Sequence, residues 1–164
     1  MQWSKLKSLV EERFAHSLRK RVGIYTTRYT QASYFMVRGW ITVDGEEIAN
    51  FSTPDYRDRY LWNAPEINLR VENDERTAGA AVEKGEFEQW EFISACWDFT
   101  QSSLEEALLH PNPIVNAFAM LDKRLGKRRL REIEAENLHP LAKKLLEIRL
   151  EAEGLLREKT NIQT

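Results

Sequence analysis

The sequence predicts an α+β fold: an N-terminal helix, an antiparallel meander of three to four strands, then a C-terminal bundle of about four helices. Three observations carry this prediction. Apolar residues recur every three or four positions from Trp3 to Leu18. β-Branched and aromatic residues then dominate positions 22–51, on either side of an Asp44-Gly45 pair. Helical spacing returns near Glu86 and continues almost to the C-terminus. At 164 residues with five Trp, five Tyr and seven Phe, the chain has the length and apolar content for one ordered core. It reads as one domain, 1–164, with a helix-plus-sheet subregion at 1–75 and a helical one at 76–164.

The first helix follows from Trp3, Leu6, Val10, Phe14 and Leu18, and extends to about Lys20. The cations Arg19-Lys20-Arg21 would then meet the negative end of its dipole, and His16 would sit on its polar side. Val22 to Thr30 forms the first strand, with Ile24, Thr26, Arg28 and Thr30 on one face. Tyr34 to Val43 forms the second. Asp44-Gly45 suits a type I′ turn, which needs two residues tolerant of positive φ, and Glu47 to Phe51 returns as the third strand. Ser52-Thr53-Pro54-Asp55 offers a cap and a first-turn proline for a short helix to about Trp62. Ile67 to Val71 is a candidate fourth strand, and Asn73 to Thr77 a polar loop.

Beyond Glu86, Phe87, Trp90, Ile93 and Trp97 line one stripe while Phe92, Cys96 and Phe99 line its neighbour. So wide an apolar face predicts a helix buried on most sides. Ser102-Ser103 with Glu105-Glu106 caps the next helix. Asn112 and Pro113 open a third, whose inward stripe is Ile114, Ala117, Phe118, Leu121 and Leu125, with Gly126 as its left-handed stop. Leu130 and Ile133 point inward from a further turn. Leu141, Leu145, Ile148, Ala152 and Leu155 form a seam on the last helix. Two Leu-His-Pro openings, at 109–111 and 138–140, suggest two stacked helical units.

Charge is segregated. Residues 1–45 carry a net +5, residues 46–111 a net −10 and residues 112–164 a net +3. The densest cluster is Lys123, Arg124, Lys127, Arg128, Arg129 and Arg131, six cations in nine residues. Such a patch would contact several phosphates of a nucleic acid. The competing reading pairs these cations with Glu132, Glu134, Glu136 or the acidic middle of the chain.

No phosphate-cradling glycine loop, dinucleotide fingerprint, nucleophile elbow or zinc-protease helix is present. One Cys and three His cannot make a four-ligand Cys/His zinc site, so no metal or other cofactor is expected. Cys96 reads as an inert buried thiol, and His110 and His139 as turn residues. Asp74, Glu75, Glu86, Glu88 and Glu91 read as an exposed face rather than a catalytic set. Met36 and Met120 read as core filler. A single cysteine fits a reducing compartment, the N-terminus lacks the apolar core of a signal peptide, and no apolar run exceeds five residues. A cytoplasmic protein without a membrane partner is expected.

Trp3-Ser4-Lys5-Leu6-Lys7, the central Asp44-Gly45-Glu46-Glu47-Ile48-Ala49-Asn50-Phe51-Ser52, and Asn112-Pro113-Ile114 through Gly126-Lys127-Arg128-Arg129-Leu130 together resemble a family of small bacterial proteins. His139-Pro140-Leu141 and Leu150-Glu151-Ala152-Glu153-Gly154 fit the same pattern. The resemblance implies a bacterial cytoplasmic origin, and the family brings no assigned activity, cofactor or catalytic residue. The N-terminal element order also matches double-stranded-RNA-binding domains. Those need a basic start to the second helix, whereas Pro54-Asp55-Tyr56-Arg57-Asp58 is close to neutral.

Three functions stand open at this level. The first is a non-enzymatic interaction domain that binds a protein partner or its own copy. The second is a nucleic-acid-binding protein using Lys123–Arg131, and the third an enzyme of unrecognised type.

Overall fold

In a computed structural model, residues 1–29, 36–53, 55–56 and 80–156 are described. Helix α1 spans Trp3–Glu11, and a single 3₁₀ turn at His16–Leu18 leads into the sheet. Strands β1 (Val22–Tyr29), β2 (Met36–Val43) and β3 (Glu46–Ser52) form an antiparallel meander in the order β1-β2-β3. Helices α2 (Gln89–Gln101), α3 (Leu104–Leu108), α4 (Pro113–Leu121), α5 (Lys127–Glu132) and α6 (Pro140–Ala152) complete the chain. The α+β class and element order match the expectation from sequence. The greater part of the short helix at 52–62, the fourth strand at 67–71 and the loop at 73–77 lie outside the described residues.

The hairpin forms as its residues dictate. Asp44 and Gly45 adopt φ values of 52° and 83°, the signature of a type I′ turn. The Asp44 carboxylate accepts two hydrogen bonds from the Arg21 guanidinium, each 2.9 Å, and that pairing lowers the Asp44 pKa. Ile24, Ile41, Val43, Ala49 and Phe51 bury one face of the sheet. A register shift between Ile41 and Thr42 accompanies burial of the consecutive residues Ile48 and Ala49. Phe92 of α2 lands on this face, stacked on Phe51 with ring centroids 4.6 Å apart. It sits over Gly39, where a Cβ would come 2.5 Å from its ring, so only glycine allows the approach.

The first helix is shorter than its periodicity predicts. After Glu11 the chain turns out of the helix and pairs with the end of α4. Ala15 N–H donates to the Leu121 carbonyl at 2.8 Å, and Lys123 N–H to the Arg13 carbonyl at 2.7 Å. Phe14 and Leu18 are buried as expected, but through a bridge to Asp122 and a 3₁₀ turn rather than a continuous helix. Consequently His16 lies exposed on that turn, and Arg19–Arg21 do not cap α1.

Gly126 also departs from expectation. Its φ is −74° and it is the N-cap of α5, while α4 ends at Leu121 with Asp122 as C-cap. The tertiary pairing at 121–123 stops the helix before a glycine is required. Leu125 is nonetheless fully buried, with Ile114, Ala117, Phe118 and Leu121.

Candidate functional site

The corner from Asp122 to Leu125 is organised by three arginines. Asp122 is fully buried. Its carboxylate accepts from the Arg124 backbone N–H at 2.9 Å and from the Arg124 guanidinium at 2.6–3.1 Å. Arg149 of α6, also buried, donates to the Asp122 and Leu125 carbonyls at 2.9 Å and to that of Met120 at 3.4 Å. Its Nε donates to Glu153 at 2.9 Å. Arg13 does the same for α2, donating to the carbonyls of Phe99 (2.6 Å), Thr100 (2.5 Å) and Ser102 (3.1 Å). Burial lowers the Arg13 pKa, the like charge of Arg124 adds to this, and Asp122 opposes it. Arg13 and Arg149 thus satisfy carbonyls that helix ends leave without intrahelical partners.

This arrangement disperses the basic segment. Arg124 precedes α5, so helical spacing does not set it beside Arg128, and its charge is committed to Asp122. Lys127 faces Glu153 at 3.8 Å. Arg128 lies 3.5 Å from Glu132. Arg129 forms a bidentate pair with Glu105 of α3, which raises the arginine and lowers the glutamate. Lys123 and Arg131 are exposed and make no ion pair among the described residues. Lys127 and Arg131 do share a helical face in α5, as their spacing requires.

The two Leu-His-Pro openings use one device. His110 Nδ1 accepts from Asn112 N–H and His139 Nδ1 from Leu141 N–H, both at 3.0 Å. His139 thereby caps α6, and its Nε2 bonds Glu86. Glu88 and Glu91 form the capping box of α2, which accounts for two of the five carboxylates, while Asp74 and Glu75 lie outside the described residues. Burial raises the Cys96 pKa well above the usual thiol value, which fits an unreactive side chain. Among the described residues, no three His, Cys, Asp or Glu side chains gather to hold a metal ion.

The surface that sequence reasoning misplaced is on α2. Phe92, Ala95, Cys96 and Phe99 are buried against α1, α4 and the sheet. The other stripe is not enclosed: Trp90 is 56% and Trp97 43% exposed, in line with the exposed Ser94 and Gln101. A second aromatic group lies on the sheet, where Tyr25 stacks on Trp40 at 5.3 Å. Lys7 lies 4.0 Å from the Tyr25 centroid and Arg38 4.4 Å from that of Trp40. Both outer ring faces therefore already carry a cation from the chain itself.

The elements define an α+β domain in which a helical layer covers one face of a three-stranded meander. The chain belongs to the SF0329 protein family, whose model matches residues 2–150. No curated protein and no solved structure matches it.

Proposed function

We propose that this chain is a non-enzymatic protein-interaction domain that binds through the solvent stripe of α2. The observation that carries the reading is the exposure of Trp90 and Trp97, seven residues apart on one helix face. Tryptophan is among the side chains most enriched at positions that dominate binding energy at interfaces, and an exposed apolar patch rimmed by polar residues marks an interaction site. The partner's chemistry follows from charge. Residues 83–106 contain seven Asp/Glu and a single Lys, so an apolar segment flanked by Lys and Arg complements this surface. We place this role in the bacterial cytoplasm, with residues 1–164 acting as one domain. The lone buried Cys96 supports the reducing compartment. No helix among the described residues is long and apolar enough to cross a membrane.

The test uses an amphipathic Leu/Lys peptide, a Leu/Glu peptide as control, and intrinsic tryptophan fluorescence. The Leu/Lys peptide should produce a saturable blue shift that Trp90→Gln/Trp97→Gln abolishes. Equal binding of the two peptides, or retention by the double variant, refutes the reading. Concentration-dependent dimerisation that the double variant removes identifies a second copy as the occupant instead.

Nucleic-acid binding through Lys123–Arg131 is the second reading, supported by the exposed, unpaired Lys123 and Arg131. The pairs at Arg124, Lys127, Arg128 and Arg129 weigh against it. Fluorescence anisotropy at low salt decides it: binding that Arg128→Ala/Arg131→Ala leaves unchanged rules this segment out.

A further inference from the structure

A cleft of about 640 Å³ opens between α1 and the start of β1. None of its lining residues belongs to α2 or to Lys123–Arg131. Arg19, Lys20 and Arg21 all line it, with Lys7 contributed by α1. Lys20 adopts a φ of 67°. Glycine adopts this left-handed conformation without strain, whereas a lysine must hold its Cβ against the following carbonyl. Residues held in such conformations cluster at ligand clamps and active sites.

The charges divide into committed and uncommitted groups. Arg21 is paired with Asp44 at 2.9 Å and Glu151 at 3.5 Å, and Lys7 with Glu11 at 3.7 Å. Arg19 and Lys20 are exposed and make no ion pair among the described residues. Among the described residues lining the cleft, the cations without an ion pair are therefore Arg19 and Lys20, and Glu12 is the carboxylate without one. Thr42 and Tyr25 line the same cleft. Its volume is in the range of small-molecule sites and exceeds what a bare oxyanion fills.

We propose that this cleft binds a phosphate ester of a small soluble molecule. The phosphate dianion matches the two unpaired cations, the Arg19 fork and Lys20 ammonium supply charge-assisted donors, and the uncharged remainder occupies the rest of the cleft.

The test is a backbone-amide NMR titration of the full chain with adenosine 5′-monophosphate, ribose 5-phosphate and inorganic phosphate, using adenosine and ribose as uncharged controls. The two esters should give saturable shifts at Gly23, Thr42 and Gly45, tighter than inorganic phosphate. The controls should not. Arg19→Gln should weaken ester binding about tenfold or more, as for a lost charge-assisted bond. Lys20→Gly relieves the backbone strain, so it should melt about 2 °C or more above the wild type while also binding about tenfold more weakly. A Lys20→Gly variant that is stabilised yet binds as well as the wild type overturns the proposal. So does equal binding of esters and inorganic phosphate, equal shifts with adenosine, or the absence of saturation up to about 10 mM ester, beyond which affinity is too weak to signify a site.

Discussion

Replacing Arg149 with methionine removes the guanidinium while keeping an unbranched, flexible side chain. The loss can be worked from its contacts. Two bonds at 2.9 Å, to the Asp122 and Leu125 carbonyls, are well formed, and a third to Met120 at 3.4 Å is weak. Hydrogen bonds involving a charged group contribute about 1.5–3 kcal/mol each, so the two good ones set a loss of about 3–6 kcal/mol. The Glu153 carboxylate keeps Ser17 at 2.9 Å and Lys127 at 3.8 Å, so it is not left alone. Urea unfolding followed by circular dichroism measures the change as a shift of midpoint at constant slope. Arg149→Lys tests the geometry separately, because a point charge cannot reproduce a planar fork that reaches several carbonyls. It should lose at least about 1.5 kcal/mol, the value of one such bond. A methionine variant within about 1 kcal/mol of the wild type, or a lysine variant equal to it, refutes the assignment of Arg149 as the clamp on this corner.

Further outcomes follow from single contacts. Gly39→Ala drives a Cβ to 2.5 Å from the Phe92 ring and should destabilise by about 1–3 kcal/mol in the same assay, whereas Gly126→Ala, with open space at its Cβ, should change it by less than about 1 kcal/mol. Burial pushes the Glu153 carboxyl up, but Ser17, Arg149 and Lys127 outweigh it and hold its pKa below the ordinary value. A lowered folded-state pKa means that its stabilisation is present above the unfolded value of about 4.3 and is lost as pH falls through the folded one. Acid unfolding of Glu153→Gln should accordingly show a shallower pH dependence than the wild type. Cys96, buried with a raised pKa, should react with a thiol reagent in step with global unfolding; rapid labelling of the native protein contradicts its burial.

Much of the architecture was legible because it rests on local chemistry. Asp44-Gly45 is a turn wherever two strands flank it, and Asn112-Pro113 is a helix start whatever lies beyond it. The exposed tryptophan stripe was less legible. Both stripes of α2 are apolar, and periodicity alone does not say which one faces the core. Arg149 did carry a signal, since it lies four residues after Leu145 on a buried face of α6, where a cation needs buried acceptors. Arg13 carried none, because its carbonyl partners are more than eighty residues away.

The sequence by itself determined the order and type of the elements, the hairpin turn and the N-caps at Ser103 and Asn112, all set by groups within a few residues of each other. Tertiary structure decided where α1 and α4 stop, through the pairing of residues 13–15 with 121–123. It also decided which cations remain available. Lys123 to Arg131 is the densest positive run in the chain, yet most of its charges have partners, while Arg19 and Lys20, two residues in a lesser cluster, have none among those described. Charge density is a property of the local sequence. Neutralisation depends on carboxylates brought close from elsewhere in the chain, as Glu105 and Glu153 are here, and only the fold places them.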